Sequence, residues 1–441
     1  MAEKASRQLL QSVPGESGWP LLGHTVEFIS DYRAFIDRMH RLYGSAFRFR
    51  FLFRTNVGLF EPEDFHQAMQ DRTGAFSSKT GWDLLGKLFP GGLMLRDGDD
   101  HAWHRRIMAS AFTPGRLASY LDLMQPEIGR QMDRWPAGDC IIFYDRIKQL
   151  TLDLAARVFL GLDLGPDQER VNRAFSDLVA ASLAVVRLPV PGLLWAKGMR
   201  GRRFLKQFLT RTIHEKSGDE KDLLAALIAA RSESGDRFTV PDVVDHMIFL
   251  MMAAHDTTTS ALTSMAWALA AHPEWQEEVR REALAAGGEA GPKALRAMVK
   301  TEWVFREVLR LYPPLQAIPR ALTRARRIGG YELPEGTRLS FSPGHTHRLA
   351  TWWSEPDKFD PQRFSPEKAE HKQHPGQWTP FGGGAHTCIG QHFAMMQVKA
   401  VMIHLLTRFE LQLPKDYQLK MVVVPIVKPD DGLPVRLVPR G

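Results

Sequence analysis

The chain has 441 residues, 44% hydrophobic and 24% charged, an ordinary globular composition with enough length for a large buried core. A formal charge of +7 would suit nucleic acid, but the basic residues are scattered apart from short clusters at Lys197–Arg203 and Arg324–Arg327, which reads as solvated surface and excludes a nucleic-acid partner. Cys140 and Cys388 are too few for a disulfide framework, and the N-terminus has no apolar secretory segment, so a cytoplasmic, bacterial location is expected.

In chain order, Phe47, Phe49, Phe51 and Phe53 alternate with Arg48, Arg50 and Leu52, the period of a strand with one buried face. Thr55-Asn56 offers a turn into Val57–Phe60 and hence a hairpin. From about Glu63 to His272 the apolar spacing is helical, with breaks at Pro114, Pro136, Pro166 and Leu188–Gly192. Gly329-Gly330 and Pro334–Gly336 then separate short strand-like pieces, Arg338–Phe341 among them. The fold class is therefore mainly α with a small β portion. No linker or repeat divides it, so 1–441 reads as a single domain.

Met247–Ala271 is the longest apolar segment, and a membrane span is its bland reading. Asp256 and the hydroxyls Thr257 to Ser260 at mid-span are costly in lipid, so a central helix with a polar site halfway along fits better. Leu188–Arg203 joins an apolar, proline-broken loop to Lys197, Arg200, Arg202 and Arg203. It reads either as an access lid packed on its own protein or as membrane contact through Leu193, Leu194 and Trp195.

The segment Phe381–Gly390 (FGGGAHTCIG) sets a cysteine after three consecutive glycines and just before a helical run. Glycines let backbone approach a flat cofactor, and a helix N-terminus favours the thiolate. Taken alone, Cys388 would as readily be a small core residue. With Phe381, Gly384, His386, Cys388 and Gly390 in place, the segment resembles the cysteine-ligand loop of the cytochromes P-450. Three further segments resemble that family in the same order. Glu307 and Arg310 in EVLR, with Arg363 in PQRF, are similar to its buried Glu-Arg-Arg network, although a lone E-x-x-R is usually a weak surface pair. His101 and Arg105 in HAWHRR, with Arg320 after Pro319, are similar to its propionate contacts. Ala253–Thr258 (AAHDTT) resembles its acid-alcohol pair, carried by Asp256 and Thr257, with Ala254 where glycine is usual. Without the resemblance, Asp256 and Thr257 would be a polar face or a small kink, and His101 a satisfied surface histidine.

The resemblance implies the cytochrome P-450 fold, with haem b between the long central helix and the Cys388 loop, its iron bound by Cys388. It implies a haem-thiolate monooxygenase that inserts one oxygen atom of dioxygen into a C–H bond, with protons relayed through Asp256 and Thr257. His386 would donate to a haem propionate; a solvent-facing loop histidine is the alternative. Nothing after Gly441 encodes a fused reductase, so a separate ferredoxin or flavodoxin with its reductase is expected as partner. Two rivals remain: a peroxygenase using hydrogen peroxide, and a non-enzymatic haem sensor or ligand-binding protein. Trp82, Leu85, Leu88, Ala254, Leu315, Ile318, Val424 and Ile426 fall in segments that line the family's substrate pocket, which points to an apolar small molecule. The opening PGESGWPLLGH and the AAHDTTTSAL segment look most like the cyanobacterial and animal retinoic-acid hydroxylases, hence a retinoid, terpenoid or fatty-acid-like substrate.

Overall fold

The computed structural model describes residues 2–161, 167–182, 184, 186–216, 221–287 and 291–440; Pro166 lies outside them. It divides into two compact units, each assembled from separate stretches of chain.

The first unit comprises Met1–Trp82, Trp303–Cys388 and Leu419–Asp430 and is built around a five-stranded sheet. Its strand order is Ala46–Phe51, Arg54–Leu59, Arg338–Phe341, Ile318–Leu322, Phe76–Ser77. Only the Arg54–Leu59 to Arg338–Phe341 pairing is parallel. The alternation at Phe47 and Phe49 has the expected effect: both rings are buried, against Tyr32, Phe35, Ile36 and Met39 of the helix Tyr32–Tyr43. The hairpin turn falls earlier than Thr55-Asn56. Leu52 and Phe53 take the left-handed conformation, and Phe53 leaves the buried row with 58% exposure. A two-residue turn with both φ positive matches the twist of the flanking strands, so geometry overrides the apolar alternation there.

The second unit comprises Asp83–Glu302, Ile389–Gln418 and Asp431–Gly441 and is mainly helical. Its axis is the helix Val240–Ala271, which begins seven residues before the apolar run because Thr239 and Asp242 form a reciprocal capping box at its start. Helices Phe143–Ala155 and Leu194–Glu215 pack on it, and Gln391–Arg408 supplies a further buried helix. At Gly201 a Cβ would collide with the Ala174 carbonyl, so glycine sets how closely Leu194–Glu215 approaches Gln168–Ala181. A three-stranded antiparallel sheet of Cys140–Ile142, Pro434–Pro439 and Phe409–Gln412 completes the unit. Among the described residues, no helix is long and apolar enough to cross a membrane.

Candidate active site

The cysteine loop of the first unit is held by its backbone. Gly382 and Gly384 adopt positive φ (+72° and +58°), and a Cβ on Gly384 would strike the Met69 carbonyl, so both the conformation and the close approach require glycine. The Cys388 N–H donates to the Phe381 carbonyl (2.8 Å), and the Thr387 hydroxyl donates to that of Gly384 (2.8 Å). Cys388 is exposed while Phe381, His386 and Gly390 are half-buried, and Gly390 caps the helix Gln391–Arg408. A thiol presented on a glycine-lined loop just before a helix suits a soft, flat metal cofactor. Arg320, 4% exposed on the strand Ile318–Leu322, directs its guanidinium to the Pro319 carbonyl (2.9 Å) and the Met69 sulfur (3.3 Å). Met69 thus brings Arg320 and the cysteine loop to one place, two features far apart in sequence.

Behind the loop lies an ionic network with almost no exposure. Arg310 is bidentate on Glu307 (2.7 and 2.9 Å), and Arg363 Nε lies 3.4 Å from the same carboxylate. Further donors from Arg310 reach the His347 and Pro356 carbonyls, and those of Arg363 reach Ser354, Glu370 and the Glu355 carbonyl. The His347 ring accepts the Thr379 N–H (2.9 Å), and the Thr379 carbonyl accepts the Gly382 N–H (3.0 Å). The network therefore reaches the cysteine loop through His347, a link that sequence spacing gave no sign of. Burial, with the Arg310 charge adding, holds His347 down at about 3, so it stays neutral.

In the second unit, His101 is buried and Arg105 half-buried, one turn apart on the helix Gly98–Ala109. On the central helix, the Thr257 hydroxyl donates to the Ala253 carbonyl (2.6 Å), one turn back. Asp256 is partly exposed, and its Oδ1 lies 2.9 Å from Nδ1 of His255. Tyr144 on the adjoining helix is pushed up to about 12 by burial, with the negative charge of Asp256 adding.

The expected substrate residues are distributed over both units. Trp82, Leu315, Val424 and Ile426 in the first are half-buried, whereas Ile318 sits in that unit's core. Leu85 and Ala254 in the second are half-buried, whereas Leu88 is fully buried and contributes its carbonyl to Arg202 (3.0 Å). Arg202 also binds Asp245 (2.9 Å), tying Leu194–Glu215 to the start of the central helix. Of the loop residues Leu193, Leu194 and Trp195, only Leu194 is exposed; Leu193 is half-buried, and Trp195 is 5% exposed with the Arg187 guanidinium over its ring.

Comparison with known proteins accords with this arrangement. The family model for cytochrome P-450 matches residues 13–433. Cytochrome P-450 136 of Mycobacterium tuberculosis is 38% identical over 100% of this chain and 91% of its own length. Cytochrome P-450 120 of Synechocystis is 30% identical, covering 96% of each chain. Among solved structures, the retinoic acid-bound cyanobacterial CYP120A1 superposes with a TM-score of 0.89 at 28% identity, over 97% of this chain and 99% of that one. The chain belongs to the cytochrome P-450 family of haem-binding monooxygenases.

Proposed function

We propose that this chain is a haem-thiolate monooxygenase hydroxylating an apolar small molecule of retinoid, terpenoid or fatty-acid type. It would take two electrons from a separate ferredoxin or flavodoxin. The observation that carries the monooxygenase reading is the Asp256–Thr257 pair, with the Thr257 hydroxyl turned onto the Ala253 carbonyl. The retinoid reading is supported by the retinoic acid named for the cyanobacterial neighbour.

Bound haem supplies dioxygen activation and oxygen insertion, and thiolate donation favours O–O cleavage. Cys388 would hold the haem iron, on a loop shaped by Phe381, Gly384 and Gly390. His386, Arg320, His101 and Arg105 would hold the propionates, because imidazole and guanidinium donors match carboxylate oxygens. With its hydrogen donated to the Ala253 carbonyl, the Thr257 oxygen has its lone pairs free to accept a hydrogen bond. Asp256, the residue beside it, would serve as the general acid.

Trp82, Leu85, Ala254, Leu315, Val424 and Ile426 would contact the substrate; Leu88 and Ile318 are each buried within their own unit. Each unit is discontinuous in sequence, so neither can be excised as a stretch of chain, and we read 1–441 as one functional domain. Any lipid contact would fall to exposed Val186, Leu188, Val190 and Leu194 rather than to Trp195. The test is reduction of the purified holoprotein under carbon monoxide, then turnover of all-trans-retinoic acid with a surrogate ferredoxin and its reductase. Absence of the thiolate carbonyl band would overturn the Cys388 assignment, and absence of hydroxylated product would overturn the retinoid reading.

A further inference from the structure

The chain leading into the cysteine loop is fastened residue by residue to the first unit behind it. The Gln377 side chain donates to the Trp352 carbonyl (2.6 Å), the Trp378 indole N–H to the Arg306 carbonyl (3.3 Å), and the Thr379 N–H to Nε2 of His347 (2.9 Å). The third tie differs from the other two, because Thr379 opens the first turn of the loop: its carbonyl accepts the Gly382 N–H (3.0 Å). Phe381, inside that turn, accepts the Cys388 N–H (2.8 Å). Position thus passes from the His347 ring to the backbone of Cys388 through successive hydrogen bonds.

His347 is itself a fixed point. It is fully buried, its carbonyl accepts Nη1 of Arg310 (2.9 Å), and its backbone N–H donates to the Pro343 carbonyl (2.9 Å). A main-chain N–H only donates, so Nε2 must present a lone pair to Thr379, and the neutral ring carries its hydrogen on Nδ1. That nitrogen is buried without a well-aligned hydrogen bond, although the ring faces the Leu309 and Arg310 carbonyls at the end of the helix Val299–Leu311. As core filling, such a ring is a poor choice, because a leucine of similar volume would bury no half-satisfied polar group. Leucine, however, cannot accept the Thr379 N–H. The acceptor is what this position uses.

Resting on the reading of Cys388 as the residue that holds the haem iron, we infer that His347 is a positioning residue for that sulfur. Its Nε2 pins the first turn of the loop to the Glu307–Arg310–Arg363 network and so keeps Cys388 presented as a thiolate ligand. His347 touches no reacting atom; it acts through the backbone of Thr379 and Gly382.

The test compares His347→Gln, whose amide oxygen falls near the Nε2 position and can accept the Thr379 N–H, with His347→Asn, whose shorter amide reaches only the Nδ1 position. In reduced, carbon-monoxide-bound holoprotein, His347→Gln is expected to keep the wild-type red-shifted carbonyl band. His347→Asn should divide it, part of the signal moving to the unshifted position of a neutral-thiol ligand. Hydrogen exchange of the amides in 379–382 should be about tenfold faster in His347→Asn, the factor that one lost hydrogen bond gives, and unchanged in His347→Gln. A lower denaturant midpoint in His347→Asn, with the band undivided and that exchange at the wild-type rate, marks a merely structural residue and overturns the inference. A band divided as far in His347→Gln as in His347→Asn overturns it too. Should His347→Asn hold no haem, His347→Gln decides: a wild-type band with wild-type exchange supports the role of the acceptor, and a divided band overturns it. Absence of the red-shifted band from the wild type overturns the Cys388 reading and the inference with it, whereas a wild-type band and wild-type exchange in both variants overturn the inference alone.

Discussion

At the scale of single residues, sulfur is a softer and stronger donor to iron than a neutral hydroxyl, so Cys388→Ser is expected to abolish turnover and the red-shifted carbonyl band together. Absorbance of the reduced, carbon-monoxide-treated variant checks this. Thr257→Ala removes the hydroxyl that is turned onto Ala253 and should leave reductant consumption running while hydrogen peroxide accumulates. Product formed per reduced nicotinamide consumed is the measurement. His246 and His347 give a pH prediction whose sign follows from burial. His246 is wholly buried, with Nε2 2.8 Å from Nδ1 of His104, and is held down at about 3, chiefly by burial. His347 is likewise held at about 3. Between about pH 6.5 and 3 the unfolded chain binds protons at these sites that the folded chain refuses, so stability is full above that window and falls as pH drops through it. Denaturant midpoints at pH 7 and pH 5 should differ in that direction, and His347→Gln should flatten the difference.

Among the elements, the helix carrying Glu307 and Arg310 and the segment carrying Arg363 share one buried carboxylate. Removing one partner strands charge where water cannot reach it, so Glu307→Gln or Arg363→Ala should cost about 3–5 kcal/mol. Because the network passes through His347 and Thr379 to Gly382, the loss should also appear as reduced haem retention. Denaturant titration and the ratio of Soret to protein absorbance check the two effects separately. The hairpin Ala46–Leu59 and the start of the central helix show where local chemistry decides an element. In the first, two positive-φ residues relocate the turn; in the second, a Thr239–Asp242 box extends the helix beyond its apolar run.

On the scale of the whole molecule, the formal charge of +7 bears on the electron donor. An acidic ferredoxin approaching a basic protein is steered by charge, and salt screens that steering, with a Debye length of about 8 Å at 0.15 M. Turnover with an acidic ferredoxin should therefore fall steeply as salt is raised, while substrate-induced Soret shifts stay unchanged. Equal salt dependence in both would argue against charged docking.

Much of the candidate site was legible because its chemistry is local in sequence. Three glycines before Cys388, Asp256 beside Thr257, and Glu307 three residues before Arg310 each lie within one loop or one to two helical turns, where backbone geometry fixes which side chains meet. Mainly helical architecture with a small sheet was legible for the same reason, since hydrophobic period is a local property. What lies between elements was decided only by tertiary structure. The carbonyl of Lys148 meets the His255 ring from more than a hundred residues away, Met69 joins Arg320 to the cysteine loop, and Trp195 is covered by Arg187 rather than offered to lipid. Those contacts depend on how helices and strands pack, and packing is set by shape and burial summed over distant segments, which no spacing within the chain encodes.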